Sequence, residues 1–318
     1  MLTVLEVTFP VFALVFCGYA GAHFRLLPDK AVDGINAFVF WFALPAMLFR
    51  VIGLRPFSEL VEPAFLSAYM VAAALVFGAT IVAARAGWVD AANRDPAQAT
   101  SYALAATHGN VGYLGIALVG ELNRDYLPTV ALTIVCDIFV LITVAIAMLE
   151  VQSSPQSSHS GLRIAGTVTR GLVRSPLMMS IGAGLLASLA SVKLPSVIDN
   201  FSRLLANAAG PCALFAIGAA LGGQRLRAER PVVVLTFIKL VIHPLVAALC
   251  LLVLFRVDPT MAAVGVLCAA LPSASNTFII AQRYQLETRS ISAAILVGTF
   301  VAVLTVSLTI FLLDLRAA

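Results

Sequence analysis

Polar residues suited to binding a ligand are concentrated at two places in an otherwise apolar sequence. In the first, three glycines and Asn110 fall within 109–115. In the second, 271–277, a proline is followed by four polar side chains that include Asn276. Proline and glycine weaken helices, and an asparagine amide both donates and accepts hydrogen bonds. This combination favours non-covalent binding of a small polar ligand.

Two charged side chains, Asp137 and Lys239, lie deep within apolar runs. A charge at the centre of a bilayer costs at least about 2.5–3.5 kcal/mol on insertion scales, so each needs a partner or water. We expect Asp137 to be a protonatable or cation-binding group, and Lys239 to be its partner or a counter-charge to an anionic substrate. The alternative is that the Lys239 ammonium reaches the membrane surface. His243, one turn after Lys239, and His108 are candidates for proton transfer or for hydrogen bonds between helices.

Enzymatic and metal-binding patterns are absent from the sequence. Five cysteines lie singly inside apolar stretches, and the four histidines form no metal-binding pattern. No Ser/His/Asp or paired-carboxylate arrangement is present. The net charge of +4 is scattered along the chain and forms no nucleic-acid-binding patch. We therefore expect no enzyme, no metal, no cofactor and no nucleic-acid partner.

The elements that must position these residues are membrane-spanning helices. Hydrophobic residues make up 61% of the 318 residues and charged residues only 11%, whereas soluble domains carry about 25% charged residues. A helix that crosses a bilayer needs about 20 mostly apolar residues. Ten segments qualify: 4–23, 31–52, 64–87, 97–120, 128–150, 171–190, 199–222, 231–255, 260–282 and 290–313. The sequence therefore predicts an all-α protein with ten transmembrane helices in a lipid bilayer.

Basic residues predict the orientation of these spans. Twelve Lys and Arg fall in the loops after spans 1, 3, 5, 7 and 9, and seven fall on the opposite side. Because cytoplasmic loops carry the excess of positive charge, both termini are expected outside and the central linker in the cytoplasm.

An internal repeat appears when the chain is shifted by 166 residues against itself. The matching pairs are Pro10 with Pro176, Pro45 with Pro211, and Asn110 with Asn276. A shift of five spans reverses the direction of the second copy, which gives two inverted five-helix repeats of the kind found in secondary transporters. We predict a first repeat in 1–150, a cytoplasmic linker in 151–170 and a second repeat in 171–318. Pro45 and Pro211 are the candidate hinge or scaffold positions, and a chance alignment of apolar sequence is the alternative.

The polar clusters in spans 4 and 9 predict two broken helices that meet at the membrane midplane. Irregular backbone persists in a membrane only where it lines a cavity or is buried in protein, and half-helix N-termini suit an anion such as a carboxylate. The alternative is that these glycines and polar residues serve close helix packing. The predicted substrate-binding residues are Gly109, Asn110, Val111, Gly112, Pro272, Ser273, Ser275 and Asn276.

Several of these motifs resemble those of one transporter family. Residues 109–115 resemble the N-x-G-x-L-G signature in the fourth span of the auxin efflux carrier family, which includes the plant PIN proteins and bacterial dicarboxylate carriers. Residues 272–278 resemble its ninth-span motif, and 211–221 its seventh span. Lys239 and Pro244 match its eighth span. The resemblance covers essentially the whole chain.

The resemblance implies a fold shared with bile-acid and sodium–proton carriers. Spans 1, 2, 6 and 7 would form a scaffold, often dimeric, and spans 3–5 and 8–10 a moving core in which spans 4 and 9 cross. Family members move organic anions such as malate, malonate or auxin. Ala117 stands where members usually have a proline, and the short central linker favours a bacterial-type carrier in the inner membrane.

Together these features predict a secondary active transporter that moves a small organic anion, a dicarboxylate or an auxin-like carboxylate, by alternating access. Coupling to protons or sodium ions is expected, as is a homodimer formed through the scaffold helices. The alternatives are a passive anion channel and a ligand-binding membrane sensor.

Overall fold

The computed structural model describes residues 2–28, 30–57, 62–153, 176–221 and 229–315. The regular secondary structure of these residues is helical, without a β-strand; one isolated antiparallel bridge joins Gly109 and Ser273. The helices are α1 Leu2–His23, α2 Ala31–Gly53, α3 Pro63–Arg85, α4 Pro96–Thr107, α5 Val111–Leu122, α6 Arg124–Gln152, α7 Pro176–Leu189, α8 Ser196–Leu221, α9 Arg230–Leu254, α10 Pro259–Ala269, α11 Asn276–Arg283 and α12 Arg289–Leu312.

Length and composition make this a membrane protein. Within the described ranges, α2, α3, α6, α8, α9 and α12 are each long and apolar enough to cross a membrane. The remaining apolar helices are shorter, and two of the segments predicted as single spans are divided, one into α4 and α5 and the other into α10 and α11. The predicted linker, 151–170, lies outside the described residues from 154 onward.

Local sequence explains where α4 and α10 begin. Asp95 precedes Pro96, and its carboxylate accepts a hydrogen bond from the Gln98 N–H at 3.0 Å. Asp258 precedes Pro259 and accepts from the next two free amides. An acidic N-cap followed by proline is a favourable helix start, because proline has no N–H to leave unsatisfied and its φ is already helical.

Several long helices widen to a π-type turn inside the membrane. One such turn, Val39–Ala43, precedes Pro45 in α2, and another, Ile238–Ile242, precedes Pro244 in α9. Proline removes the N–H that would bond one turn back, so the preceding backbone adjusts. The turn Cys136–Ile142 of α6 holds Asp137, and the turn in α9 holds Lys239. Both deeply placed charges therefore sit on widened turns, which occur frequently at functional sites.

The helices pack in two groups. The first, which we call the four-helix group, consists of α1, α2, α7 and α8. In it α1 packs most extensively on α8, and α2 packs on α7 and α8. In the second group, formed by α3–α6 and α9–α12, α3 packs on α4, and α9 packs on α3, α10 and α12. Arg55 lies just after the end of α2, and the ion pair between its Nη2 and Asp125 Oδ1, at 2.7 Å, joins the four-helix group to the start of α6 in the second group.

Glycines bring helices of the four-helix group into backbone contact. A Cβ on Gly18 would overlap the Phe215 carbonyl oxygen, and one on Gly218 would overlap that of Val15, so α1 and α8 touch along their backbones. Gly184 of α7 lies similarly against Ile52 and Gly53 of α2, where its Cβ would approach within 3.0 Å. Small residues at such contacts increase van der Waals packing between membrane helices.

We expect Gly218→Ala to destabilise the protein by roughly 1–3 kcal/mol or more, because the added methyl must push two backbones apart. The measurement is the thermal unfolding midpoint of the purified protein in detergent. Gly182→Ala is the matched control, since a Cβ at Gly182 meets no atom within 4 Å. Equal midpoints for the two variants would contradict the backbone contact.

Candidate functional site

The two interrupted segments meet and bond to each other. The backbone leaves the helix after Thr107 and resumes at Val111, and it leaves again after Ala269 and resumes at Asn276. Between these ends the Asn110 N–H donates to the Pro272 carbonyl at 2.8 Å, and the Ala274 N–H donates to the His108 carbonyl at 3.1 Å. The two extended pieces thus satisfy backbone groups that neither helix satisfies. We call this contact the crossing.

Two residues make the crossing sterically feasible. Pro272 has no N–H and ends the preceding helical pattern. A Cβ on Gly109 would lie 3.2 Å from the Cys268 carbonyl oxygen and 3.4 Å from the Lys239 Nζ. Glycine therefore lets α10 and the lysine approach the backbone of the crossing closely.

A cavity of about 480 Å³ lies between the crossing and the four-helix group. Of the eight residues predicted to bind substrate, it is lined by Gly109, Asn110, Val111, Gly112, Ser275 and Asn276. Pro272 and Ser273 do not line it. The Ser273 hydroxyl instead donates to the Ala105 carbonyl at 2.5 Å, near the C-terminal end of α4, and the Pro272 carbonyl is occupied by Asn110.

The asparagines predicted to bind substrate have uncommitted side chains. Within the described residues, neither the Asn110 amide nor the Asn276 amide makes a hydrogen bond, and Asn110 does not cap α5. Asn110 is only 8% exposed. A buried amide normally has a partner, so the Asn110 amide is available to a ligand in the cavity, as is the exposed Asn276 amide. A Cβ on Gly112 would meet open space, which leaves the first turn of α5 accessible.

Asp137 also lines the cavity, beside His108. The distance between Asp137 Oδ2 and His108 Nδ1 is 3.3 Å, but the geometry is not that of a hydrogen bond, and neither atom has another partner. Both side chains are buried. A small rotation or a change of tautomer would turn this contact into a hydrogen bond.

Lys239 lies behind the crossing and does not line the cavity. Its Nζ donates to the Ala269 carbonyl, the last residue of α10, at 2.5 Å, and lies 3.1 Å from His243 Nδ1. The ammonium therefore neutralises the negative end of the α10 dipole. With 1% exposure, it is buried inside the protein and does not reach a membrane surface. His243 bonds Lys239 and likewise does not line the cavity.

Residues of the four-helix group complete the cavity, and sequence reasoning did not select them. They are Asn36, Ala37, Phe40, Leu177, Ala216 and Ile217. His108, considered for proton transfer, is also part of the lining. Apolar residues at helical spacing look the same whether they face lipid or a cavity, so no sequence signal separates the five apolar residues of this set from the rest of their helices. Asn36 is its polar member.

These observations define an integral multi-pass membrane protein with a cavity among its helices that is lined by apolar residues and a few polar ones. A family model described as membrane transport protein matches residues 3–310. The chain therefore belongs to this family of membrane transporters, the auxin efflux carrier family that its span motifs resemble.

Individual relatives agree with this assignment. A protein of Rhizobium meliloti (strain 1021), whose name proposes a malonate transporter, is 31% identical over 98% of this chain and 97% of its own length. The transporter YfdV of Escherichia coli (strain K12), whose name assigns no substrate, is 26% identical over 95% of each chain. The lysosomal cholesterol signaling protein of Mus musculus is 26% identical over 92% of this chain, which spans only 35% of that relative.

The buried charges permit a test by a double-mutant cycle. We expect Lys239→Met and Asp137→Asn each to lower stability by roughly 3–5 kcal/mol, because each leaves the opposite buried charge without compensation. The double variant is expected to lose clearly less than the sum, since it removes both charges. Thermal unfolding midpoints in detergent measure the cycle, with the exposed Lys193→Met as control. Strict additivity would show that the two charges do not interact.

Proposed function

We propose that the protein is a secondary active transporter that carries a small dicarboxylate by alternating access. The observation that carries the proposal is the cavity at the crossing, which combines two uncommitted asparagine amides with the start of a half-helix. Amide N–H groups and the positive end of a helix dipole favour an anion. A cavity of about 480 Å³ lies within the usual size range of small-molecule sites.

We infer a ten-span architecture of two inverted repeats. Helices among the described residues overlap each of the ten predicted segments, which supports this inference, and the 166-residue shift also relates packing contacts. It maps Gly18, which packs on α8, onto Gly184, which packs on α2. It maps His108 onto Ala274, the two residues joined by a backbone hydrogen bond at the crossing. An odd number of spans per half makes the repeats antiparallel, an arrangement that is common in alternating-access transporters.

The two groups of helices supply the moving parts in this proposal. The four-helix group, tied together by backbone contacts at glycines, is the scaffold, and the second group is the core that carries the crossing. The cavity lies on the boundary, with the asparagines on the core and Phe40 and Ile217 on the scaffold. Movement of the core would carry the asparagines together with the substrate, and the scaffold residues that contact the substrate would change.

A dicarboxylate substrate also explains why transport would be coupled to the movement of a cation. Asp137 lines the same cavity, and its carboxylate repels an anionic substrate in surroundings of low dielectric constant. A proton on Asp137 or His108, or a bound cation, removes this repulsion. The proposal therefore includes co-transport of a proton or a sodium ion. Malonate is the first candidate substrate because of the name carried by the relative from Rhizobium meliloti.

Uptake by proteoliposomes tests the proposal. We expect labelled malonate to accumulate against its gradient when a proton or sodium gradient is imposed, and Asn110→Ala and Asn276→Ala each to reduce uptake about tenfold, through loss of about one charge-assisted hydrogen bond. Asn93→Ala, in the loop between α3 and α4, is the control. Equilibration without accumulation would indicate a passive channel, and no movement of malonate, malate or an indole acid would overturn the proposal.

A second variant tests the accessible turn of α5. Gly112→Val places a branched side chain where the cavity is open, so uptake should fall sharply while the unfolding midpoint stays close to that of the wild type. Gly78→Val in α3 is the matched control, because a Cβ there also meets open space but not this cavity. If both variants transport equally well, substrate does not approach the α5 turn.

A further inference from the structure

A second cavity, of about 290 Å³, contains four arginines. Its walls come from both helix groups: α2 and α8 on one side, and the end of α5 with the start of α6 on the other. The arginines are Arg50, Arg55, Arg124 and Arg203. We call this cavity the arginine cleft.

The guanidinium groups of the arginine cleft have unused donors. Arg50 uses one terminal nitrogen, which donates to Asp199 at 2.6 Å and Ser202 at 2.8 Å. Arg203 donates from one terminal nitrogen to Asn200 at 2.6 Å. Each guanidinium carries five N–H groups, so most donors on these two residues remain available.

The other two arginines also have unused donors. Arg55 uses one terminal nitrogen for its ion pair with Asp125, whose side chain is 78% exposed. The Arg124 guanidinium has no hydrogen bond or ion pair with any described residue. Arginine is the side chain best suited to binding carboxylates, since its planar donors match both oxygens.

The charge balance also favours an anion. Glu121 is the acidic residue among the described residues that line the cleft, and it has no arginine partner there. Counting Asp125 and Asp199, which pair with two of the arginines, the four positive charges exceed the three negative ones. An excess of positive charge between walls of low dielectric constant attracts small anions.

The arginine cleft and the crossing cavity occupy opposite ends of the same two helices. On α2 the crossing cavity contacts Phe40, and the cleft begins at Met47, roughly 10 Å further along the helix. On α8 the order is reversed, with Pro211 in the cleft and Ala216 in the crossing cavity. Close packing separates the two, since a Cβ on Gly210 would lie 3.5 Å from the Ala117 Cβ.

We propose that the arginine cleft is a second binding site for small dicarboxylates. It lies toward the C-terminal end of α2, and therefore nearer to the membrane surface opposite to the one at which α2 begins. The inference rests on the proposed transport function and extends it. The cleft would concentrate the dianion where the core meets the scaffold. A carboxylate that binds Arg55 also competes with Asp125, and so loosens one ion pair between the two helix groups.

Binding of labelled malonate to the purified protein at low ionic strength tests this site. The variants are Asn110→Ala/Asn276→Ala, Arg124→Gln/Arg203→Gln and the combination of all four changes. We expect the asparagine variant to retain salt-sensitive binding, and the combined variant to lose it, with about a tenfold weakening for each arginine removed. Arg256→Gln, which changes an exposed arginine outside the cleft, should leave the residual binding unchanged.

The outcomes separate the two proposals. If the asparagine variant binds no malonate, or if its residual binding survives removal of both arginines, the second site does not exist, whether or not the wild type transports malonate. If arginine-dependent binding persists although the wild type transports no dicarboxylate, the cleft is an anion site and the proposed function fails. Unfolding midpoints close to that of the wild type show that loss of binding is not loss of fold.

Discussion

The structure depends on how two interrupted helices satisfy their backbone hydrogen bonds away from water. In hydrocarbon an unpaired N–H or carbonyl costs several kcal/mol, so one broken helix alone would be expensive. Here the extended pieces around Asn110 and Ala274 bond to each other, and Ser273 covers a carbonyl near the end of α4. Because the backbone groups of the crossing bond to each other, its asparagine side chains and the first turn of α5 remain free to line the cavity.

The charged residues are arranged around the same crossing. On the side of the crossing away from the cavity, the Lys239 ammonium compensates the negative charge at the carbonyl end of α10. On the cavity side, Asp137 lies beside His108. The ammonium and the carboxylate balance each other within one buried cluster without forming a direct ion pair in the described structure. This separation leaves the Asp137 carboxylate in the cavity while Lys239 keeps its hydrogen bond to the last residue of α10.

Much of this organisation was predictable from sequence. Runs of apolar residues locate the helices to within a few residues, and glycine, proline and asparagine locate the interruptions, because their backbone effects are local. The role of Lys239 was not predictable, since a buried lysine is equally consistent with a cavity, an ion pair or a helix end. The scaffold side of the cavity was also missed, because Phe40 and Ile217 differ from lipid-facing residues only in what packs against them. Side-chain contacts between distant segments require coordinates.

The buried charges do not follow the 166-residue shift that relates the matching prolines and asparagines in the sequence. The position 166 residues after Asp137 holds Val303, and the one 166 residues before Lys239 holds Ala73. For a carrier built from two related halves, this inequality means that the two opposed conformations differ in energy. The empty protein would then rest mainly toward one compartment, and the substrate concentration that half-saturates transport would differ between the two faces, although equal concentrations on both sides give no net flux without another gradient.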